Sequence, residues 1–204
     1  MPHSDGQGKD VALTWFEKIR PATVVDVGAG AGTYVKLMRQ PSAVGLATDV
    51  PPPAERAHDR VFVIENDVQV GWNDRWTAIE GWAPYVDEFG LKDLYDEVIV
   101  SDARHLNWLN FAADLVIAGD VLEHMERDDA RRLIKRIKQG AQNLIVSIPV
   151  LHLPQGAVNG NPLERHVDHW TAASMGAELG DGVVDSWVGD VLAYFWWQRA
   201  DMEA

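Results

Sequence analysis

Apolar positions along the chain recur at helical spacing first. Ala12, Trp15, Phe16 and Ile19 fall on one face of a helix, and Pro21 ends the run. The apolar stretch VVDV at 24–27 then meets three glycines at alternate positions, Gly28, Gly30 and Gly32. Thr33 follows, with Tyr34, Leu37 and Met38 as the inner face of the next helix. This order predicts a strand, a tight turn and a helix start. Residues 40–75 lose the periodicity and include three consecutive prolines, so the segment reads as an insertion or lid within one domain spanning 1–204.

Regular patterning returns with a strand over WTAIE (76–80) and a helix begun by Pro84 that carries Val86, Phe89 and Leu91. Further strands are predicted at 96–103, within 113–125 and at 143–150. Between the last two, Ala130, Leu133, Ile134 and Ile137 mark an amphipathic helix with acids before it and bases after it. A short helix is expected near Thr171, and GVVDSW and VLAYFWW read as a closing pair of strands. Strands alternating with helices make an α/β fold with a largely parallel sheet covered on both faces. Ligands of such sheets bind beyond the carboxyl ends of the strands. That places Gly28 to Gly32, Glu80, Asp102 and Asp120 at the expected site.

Composition narrows the chemistry. Eighteen basic against 31 acidic residues give a net charge of −13 without a basic stripe, which argues against a nucleic-acid substrate. The absence of cysteine excludes disulfides, thiolate metal sites and cysteine nucleophiles. The polar start MPHSDGQGKD is unlike a secretory signal, and no apolar run approaches the ~18 residues of a membrane span. A cytoplasmic enzyme or binding protein, monomeric or homodimeric, is the expectation.

The glycine turn suits a polar or anionic ligand, because backbone N–H groups and a helix N-terminus converge there. A dinucleotide fingerprint would place glycine where Thr33 stands, and Asp26 would repel a pyrophosphate while it could orient an ammonium group. VVDVGAGAGTY, VIVSDA, DLVIAGDVLEHM and NLIVSIPV, in this order, resemble the motifs of the class I S-adenosylmethionine-dependent methyltransferases. AIEGWAPYV, GDVLEHM and QGAVNGNPLERHVDHW further resemble a bacterial and phage group of small methyltransferases. The resemblance implies a Rossmann-like, seven-stranded, mostly parallel sheet with an antiparallel last strand, and S-adenosylmethionine as cofactor.

It also implies an acid at the end of the second strand that grips the ribose hydroxyls. Asp49 and Glu80 are the candidates. Glu80 is favoured, since 22 positions separate it from Asp102, room for one helix and one strand, whereas 53 separate Asp49 from Asp102. Trp82 could cover the adenine. The resemblance gives the adenine edge to Asp102 and the Ala103 N–H, while Asp120 either lines the methionine end of the cofactor or only begins the helix after it.

The segment after the fifth strand holds His152, Asn161, Glu164, His166, Asp168 and His169. His166 first and His169 second are the candidate bases. Asn161 and Glu164 suit a polar substrate, and His124 reads as structural. Glu164, His166 and His169 have the makings of a metal site, but the Asp-Asn pair of metal-dependent methyltransferases is missing from SIPVLHLP, so no metal is expected. The reading is a methyltransferase acting on a small polar molecule at oxygen or nitrogen. The alternatives are a nicotinamide-dependent oxidoreductase and a non-catalytic S-adenosylmethionine-binding protein.

Overall fold

The computed structural model describes residues 6–39, 60–64, 68–72 and 74–200, with the strands at 60–64 and 68–72 described by their backbone alone. In chain order the elements are α1 (Lys9–Ile19), β1 (Thr23–Val27), α2 (Thr33–Arg39), β2 (Arg60–Ile64), β3 (Val68–Trp72) and β4 (Arg75–Glu80). They continue with α3 (Pro84–Glu88), α4 (Leu91–Leu94), β5 (Glu97–Val100), β6 (Ala113–Gly119), α5 (Arg127–Gly140), β7 (Ala141–Pro149), α6 (Ala172–Leu179), β8 (Val183–Val188) and β9 (Leu192–Gln198).

Seven strands form one sheet in the order β5-β4-β1-β6-β7-β9-β8. β5, β4, β1, β6 and β7 run parallel, and β9 enters antiparallel between β7 and β8. β2 and β3 pair with each other outside this sheet. They lie inside the stretch expected to be an insertion, a pairing the sequence reading did not anticipate. Residues 40–59, 65–67 and 73 of that stretch, Asp49 among them, lie outside the described residues, and Arg75 already begins β4.

Strand residues alternate between two cores. Val24, Leu115, Ile117, Ile145 and Tyr194 face α1 and α2, where they pack with Trp15, Phe16, Tyr34, Val35 and Met38. Val25, Val116, Ala118, Val146 and Phe195 face the other side, against Leu133, Ile134 and Ile137 of α5 and Met175 and Leu179 of α6. Both faces of the parallel strands are therefore covered, which is why VVDV and ADLVIAG read as almost continuous apolar runs. α5 buries the four residues its spacing marked, with Asp128 and Asp129 in its first turn and Lys138 in its last. In α2 Tyr34, Val35 and Met38 are buried and the expected Leu37 packs, partly buried, against the same core, so Val35 joins the inner face.

Gly90, at φ 62°, divides the expected single helix at 84–91 into α3 and α4. Strand β5 stops at Val100, two residues before Asp102, which caps a short 3-10 turn. Among the described residues no helix is long and apolar enough to cross a membrane.

Candidate active site

The parallel strands end along one edge of the sheet, and a cavity of about 360 Å³ opens there. Glu80 ends β4, which lies directly beside β1 with Ile79 in register with Val27. The expected position of the second strand is thus the observed one. The Gly30 N–H donates to Glu80 Oε2 at 2.9 Å, and the Trp82 N–H donates to Oε1 at 2.7 Å. Two amides fix the carboxylate across the glycine turn, while a carboxylate has about four acceptor sites and retains capacity for a ligand. Burial pushes the Glu80 carboxyl up; the bonds from Trp82 and Gly30 oppose this, and nearby Glu164 adds to it.

The turn itself needs glycine for two separate reasons. At Gly30, φ is 50° and an added Cβ would have only the Gly28 carbonyl oxygen nearby, at 3.7 Å, so a side chain would project into open space at the cavity wall. At Gly32, φ is 70° and the Cβ would strike Leu94 Cδ1 at 2.7 Å. Gly28 and Gly30 border the cavity, whereas Gly32 serves the packing of α2 on α4 and does not border it.

Two expected cofactor contacts are arranged differently. Asp26 is 1% exposed and lies behind the turn, outside the cavity wall, where the Tyr95 hydroxyl donates to its Oδ2 at 2.6 Å. It faces the core because strand residues alternate, so its carboxylate does not line the cavity as the expected contact with an ammonium group would require. The Trp82 ring is also outside the cavity wall; the residue contributes its backbone N–H.

Burial raises the Asp26 pKa from 3.8 to about 7, against the lowering effect of the Tyr95 bond and with a further upward push from Glu80. The folded protein therefore holds a proton here that the unfolded chain has released between these two values. Stability from this group is fully present below about pH 4 and is lost as pH rises through about 7. Between pH 5 and pH 8 the loss should be roughly 2–3 kcal/mol. Urea unfolding of the protein and of Asp26→Asn at the two pH values checks this, since the variant should show a slope smaller by that amount.

Asp102 and Ala103 border the cavity, as expected of an adenine edge. The Asp102 carboxylate, however, accepts from Arg104 Nε at 2.9 and 3.0 Å, from Arg104 Nη2 at 2.6 Å and from the Arg104 N–H at 2.9 Å. This pairing, chiefly, holds its pKa below the ordinary carboxylate range. Asp120, just past β6, takes a left-handed φ of 53° and its Oδ1 accepts from Ser147 Oγ at 2.6 Å. A non-glycine residue held in that region at a strand end is the kind of strain found at functional sites.

A second space of about 900 Å³ lies between segments 149–157 and 162–169. His166 and Leu153 border both cavities. The loops are stitched together: the Glu123 carbonyl accepts from the N–H groups of Val167 (2.8 Å) and Asp168 (3.1 Å), and the His166 N–H donates to the Gln155 carbonyl at 3.1 Å. Arg127 grips the Asp168 carboxylate and lies over the Trp170 ring, 3.8 Å from its centroid. Asp168 is consequently a brace for the loop. Asn161 is buried, borders the first cavity and uses its Oδ1 to accept from the Leu163 N–H at 2.9 Å, so its carbonyl caps a turn. Glu164 borders the first cavity, and burial pushes its carboxyl up.

His166 and His169 are separated by the structure. His169 borders only the second space, edge-on to His152 with ring centroids 5.3 Å apart. His166 lies edge-on to His124 at 5.0 Å. The His166 Nδ1 is 2.6 Å from the Leu153 carbonyl and the His124 Nδ1 is 3.2 Å from the Arg165 carbonyl. A carbonyl can only accept, which assigns the proton to Nδ1 in both rings and leaves each Nε2 as the lone-pair nitrogen. Burial, above all, pulls both histidines below their usual pKa.

Beside them stands Glu123, 2% exposed, whose Oε2 is buried and has no hydrogen-bond partner. Sequence reasoning passed over Glu123 and took His124 for structural; both border the first cavity. The available signal was an ionisable pair placed directly after a strand buried on both faces.

No protein-family model matches the chain, and no curated protein matches it in sequence. Solved structures do. The N-terminal domain of EvdMO1, crystallised in the presence of S-adenosylhomocysteine and D-fucose, aligns over 97% of this chain and 85% of its own with a TM-score of 0.60 at 14% identity. Magnesium protoporphyrin IX methyltransferase from Synechocystis PCC 6803, with S-adenosylhomocysteine bound, aligns over 95% and 83% with a TM-score of 0.61 at 16% identity. The methyltransferase domain of bacterial CtHen1 aligns over 95% and 98% with a TM-score of 0.60 at 12% identity. The fold of this chain is that of the class I S-adenosylmethionine-dependent methyltransferases.

Proposed function

We propose that the protein is an S-adenosylmethionine-dependent methyltransferase whose acceptor, a small polar molecule methylated at oxygen or nitrogen, occupies the space between the loops at 149–157 and 162–169. The observation that carries this reading is Glu80, a buried carboxylate clamped by the Gly30 and Trp82 amides at the end of the strand beside β1. It stands where a ribose would present two hydroxyls, next to a turn whose Gly30 leaves room for a ligand. Structures sharing the fold carry S-adenosylhomocysteine, which supports the choice of cofactor.

In this reading Gly28 and Gly30 let the ligand approach the backbone, Glu80 accepts from the ribose hydroxyls and Ala103 lies along the adenine. Asp120, Glu123 and Glu164 line the same cavity; burial pushes the carboxyls of Glu123 and Glu164 up, and a cationic ligand would suit the three better than a pyrophosphate. When bound, the cofactor supplies an activated methyl group, so the protein's work is orientation and disposal of the acceptor's proton. Of the residues that border both cavities, Pro149, Leu153, Pro154, Gln155 and His166, the histidine has the ionisable side chain and is placed to touch acceptor and cofactor together.

A heat-shift comparison tests the reading: S-adenosylhomocysteine should raise the unfolding temperature, and NADH should not. Stabilisation by NADH alone would favour an oxidoreductase. Glu80→Ala should weaken S-adenosylhomocysteine by ~1–3 kcal/mol through loss of one partner from buried hydrogen bonds, while Asp49→Ala should change it little. Calorimetric titration of both variants checks the ranking.

A further inference from the structure

We propose that Glu123, His124 and His166 form a binding site for one divalent first-row transition-metal ion at the boundary between the two cavities. Each offers a ligand atom, and these atoms lie within 4.8 Å of one another. His124 Nε2 is 4.0 Å from Glu123 Oε1. The site goes beyond the methyltransferase reading, because it is defined by side chains alone and its occupancy is measurable without cofactor or acceptor.

Three further features point to a cation. Both histidines spend Nδ1 on backbone carbonyls, of Arg165 and Leu153, and this second shell orients each ring with Nε2 unprotonated. Glu123 Oε2 is a buried acceptor without a hydrogen-bond partner, a costly arrangement that a bound cation would relieve. The Glu123 carbonyl is held by the Val167 and Asp168 amides, so the strand-end turn carrying Glu123 and His124 is tied to the loop carrying His166. The ligands thus come from two segments already fixed to each other.

Two imidazoles and one carboxylate suit Zn²⁺, Mn²⁺, Fe²⁺ or Co²⁺ better than Mg²⁺ or Ca²⁺, which prefer all-oxygen sets. Metal bonds of about 2.1 Å separate tetrahedral ligands by roughly 3.4 Å, so the side chains must draw in by about an ångström, within the reach of χ rotations. Three protein ligands leave a position open. Since His166 borders both cavities, that position faces the proposed acceptor. There the ion would bind the acceptor's oxygen and lower the pKa of its hydroxyl, which makes His166 a ligand instead of a base. This trio differs from the Glu164, His166 and His169 set that spacing suggested; His169 turns to His152 instead.

The test is calorimetric titration of the chelator-treated 204-residue chain with Mn²⁺ and with Co²⁺, together with the visible spectrum of the Co²⁺ form. One equivalent should bind, with cobalt bands of a nitrogen and oxygen site. Glu123→Ala, His124→Ala and His166→Ala should each weaken binding at least tenfold, while His152→Ala should leave it unchanged. Because buried substitutions can disturb folding, the heat-shift readout accompanies them: Mn²⁺ should raise the unfolding temperature of the parent and fail to raise that of the isosteric Glu123→Gln, itself folded by circular dichroism. No binding by the parent, or binding that survives all three alanine variants or is lost in His152→Ala, would overturn the proposal.

Discussion

Gly30→Val should abolish S-adenosylhomocysteine binding while leaving a folded protein. The position has φ 50°, a region that β-branched residues strongly avoid. An added side chain meets no core atom, only the Gly28 carbonyl oxygen at 3.7 Å, so it would extend from the cavity wall into the space left for a ligand. Relaxation of the strained backbone would also move the Gly30 N–H off Glu80 Oε2, loosening the carboxylate proposed for the ribose. Steric filling and loss of that bond act together, so affinity should fall below detection by calorimetry. Gly32→Val should behave differently: its Cβ would strike Leu94, 2.7 Å away, and the damage should appear as lost stability. Undiminished affinity in folded Gly30→Val would remove the turn from the binding site.

His166→Ala should lower methyl transfer by ~10²–10⁴-fold, the range for loss of a group acting on the acceptor's proton or holding the ion that does. Its affinity for S-adenosylhomocysteine should stay close to that of the parent, because the clamp at Glu80 and the glycine turn do not depend on it. The loss should therefore lie in kcat, with cofactor binding unchanged. His169→Ala should do much less, as His169 borders the second space and not the first cavity. Equal losses in the two variants would place the reacting centre further out in the 149–157 and 162–169 loops than His166.

Much of this arrangement was legible because the residues concerned obey local rules. Glu80 could be found from intervals alone: a strand, an acid and a helix fit into 22 positions before Asp102, and the sheet needs that sequence beside β1. The four buried positions of α5 followed from spacing. What escaped depended on contacts between distant segments. Asp26 looked like a ligand-facing acid because it precedes the glycines, yet strand alternation turns it into the core toward Tyr95, 69 residues away. Nothing in the sequence around Asp102 shows that Arg104 folds back over its carboxylate. Glu123 and His124 gain their character only when a loop 41 residues later brings the Arg165 carbonyl onto the ring and His166 beside it. Gly90 could have been read as a helix break, since its neighbours alone do not require a continuous helix.

A crystal structure of the S-adenosylhomocysteine complex tests the central claim most directly. The ribose hydroxyls should lie within hydrogen-bond distance of Glu80, the adenine should run along Ala103, and the sulfur should face the His166 wall between the two cavities. A nucleoside seated on Asp49, or a sulfur directed away from His166, would contradict it.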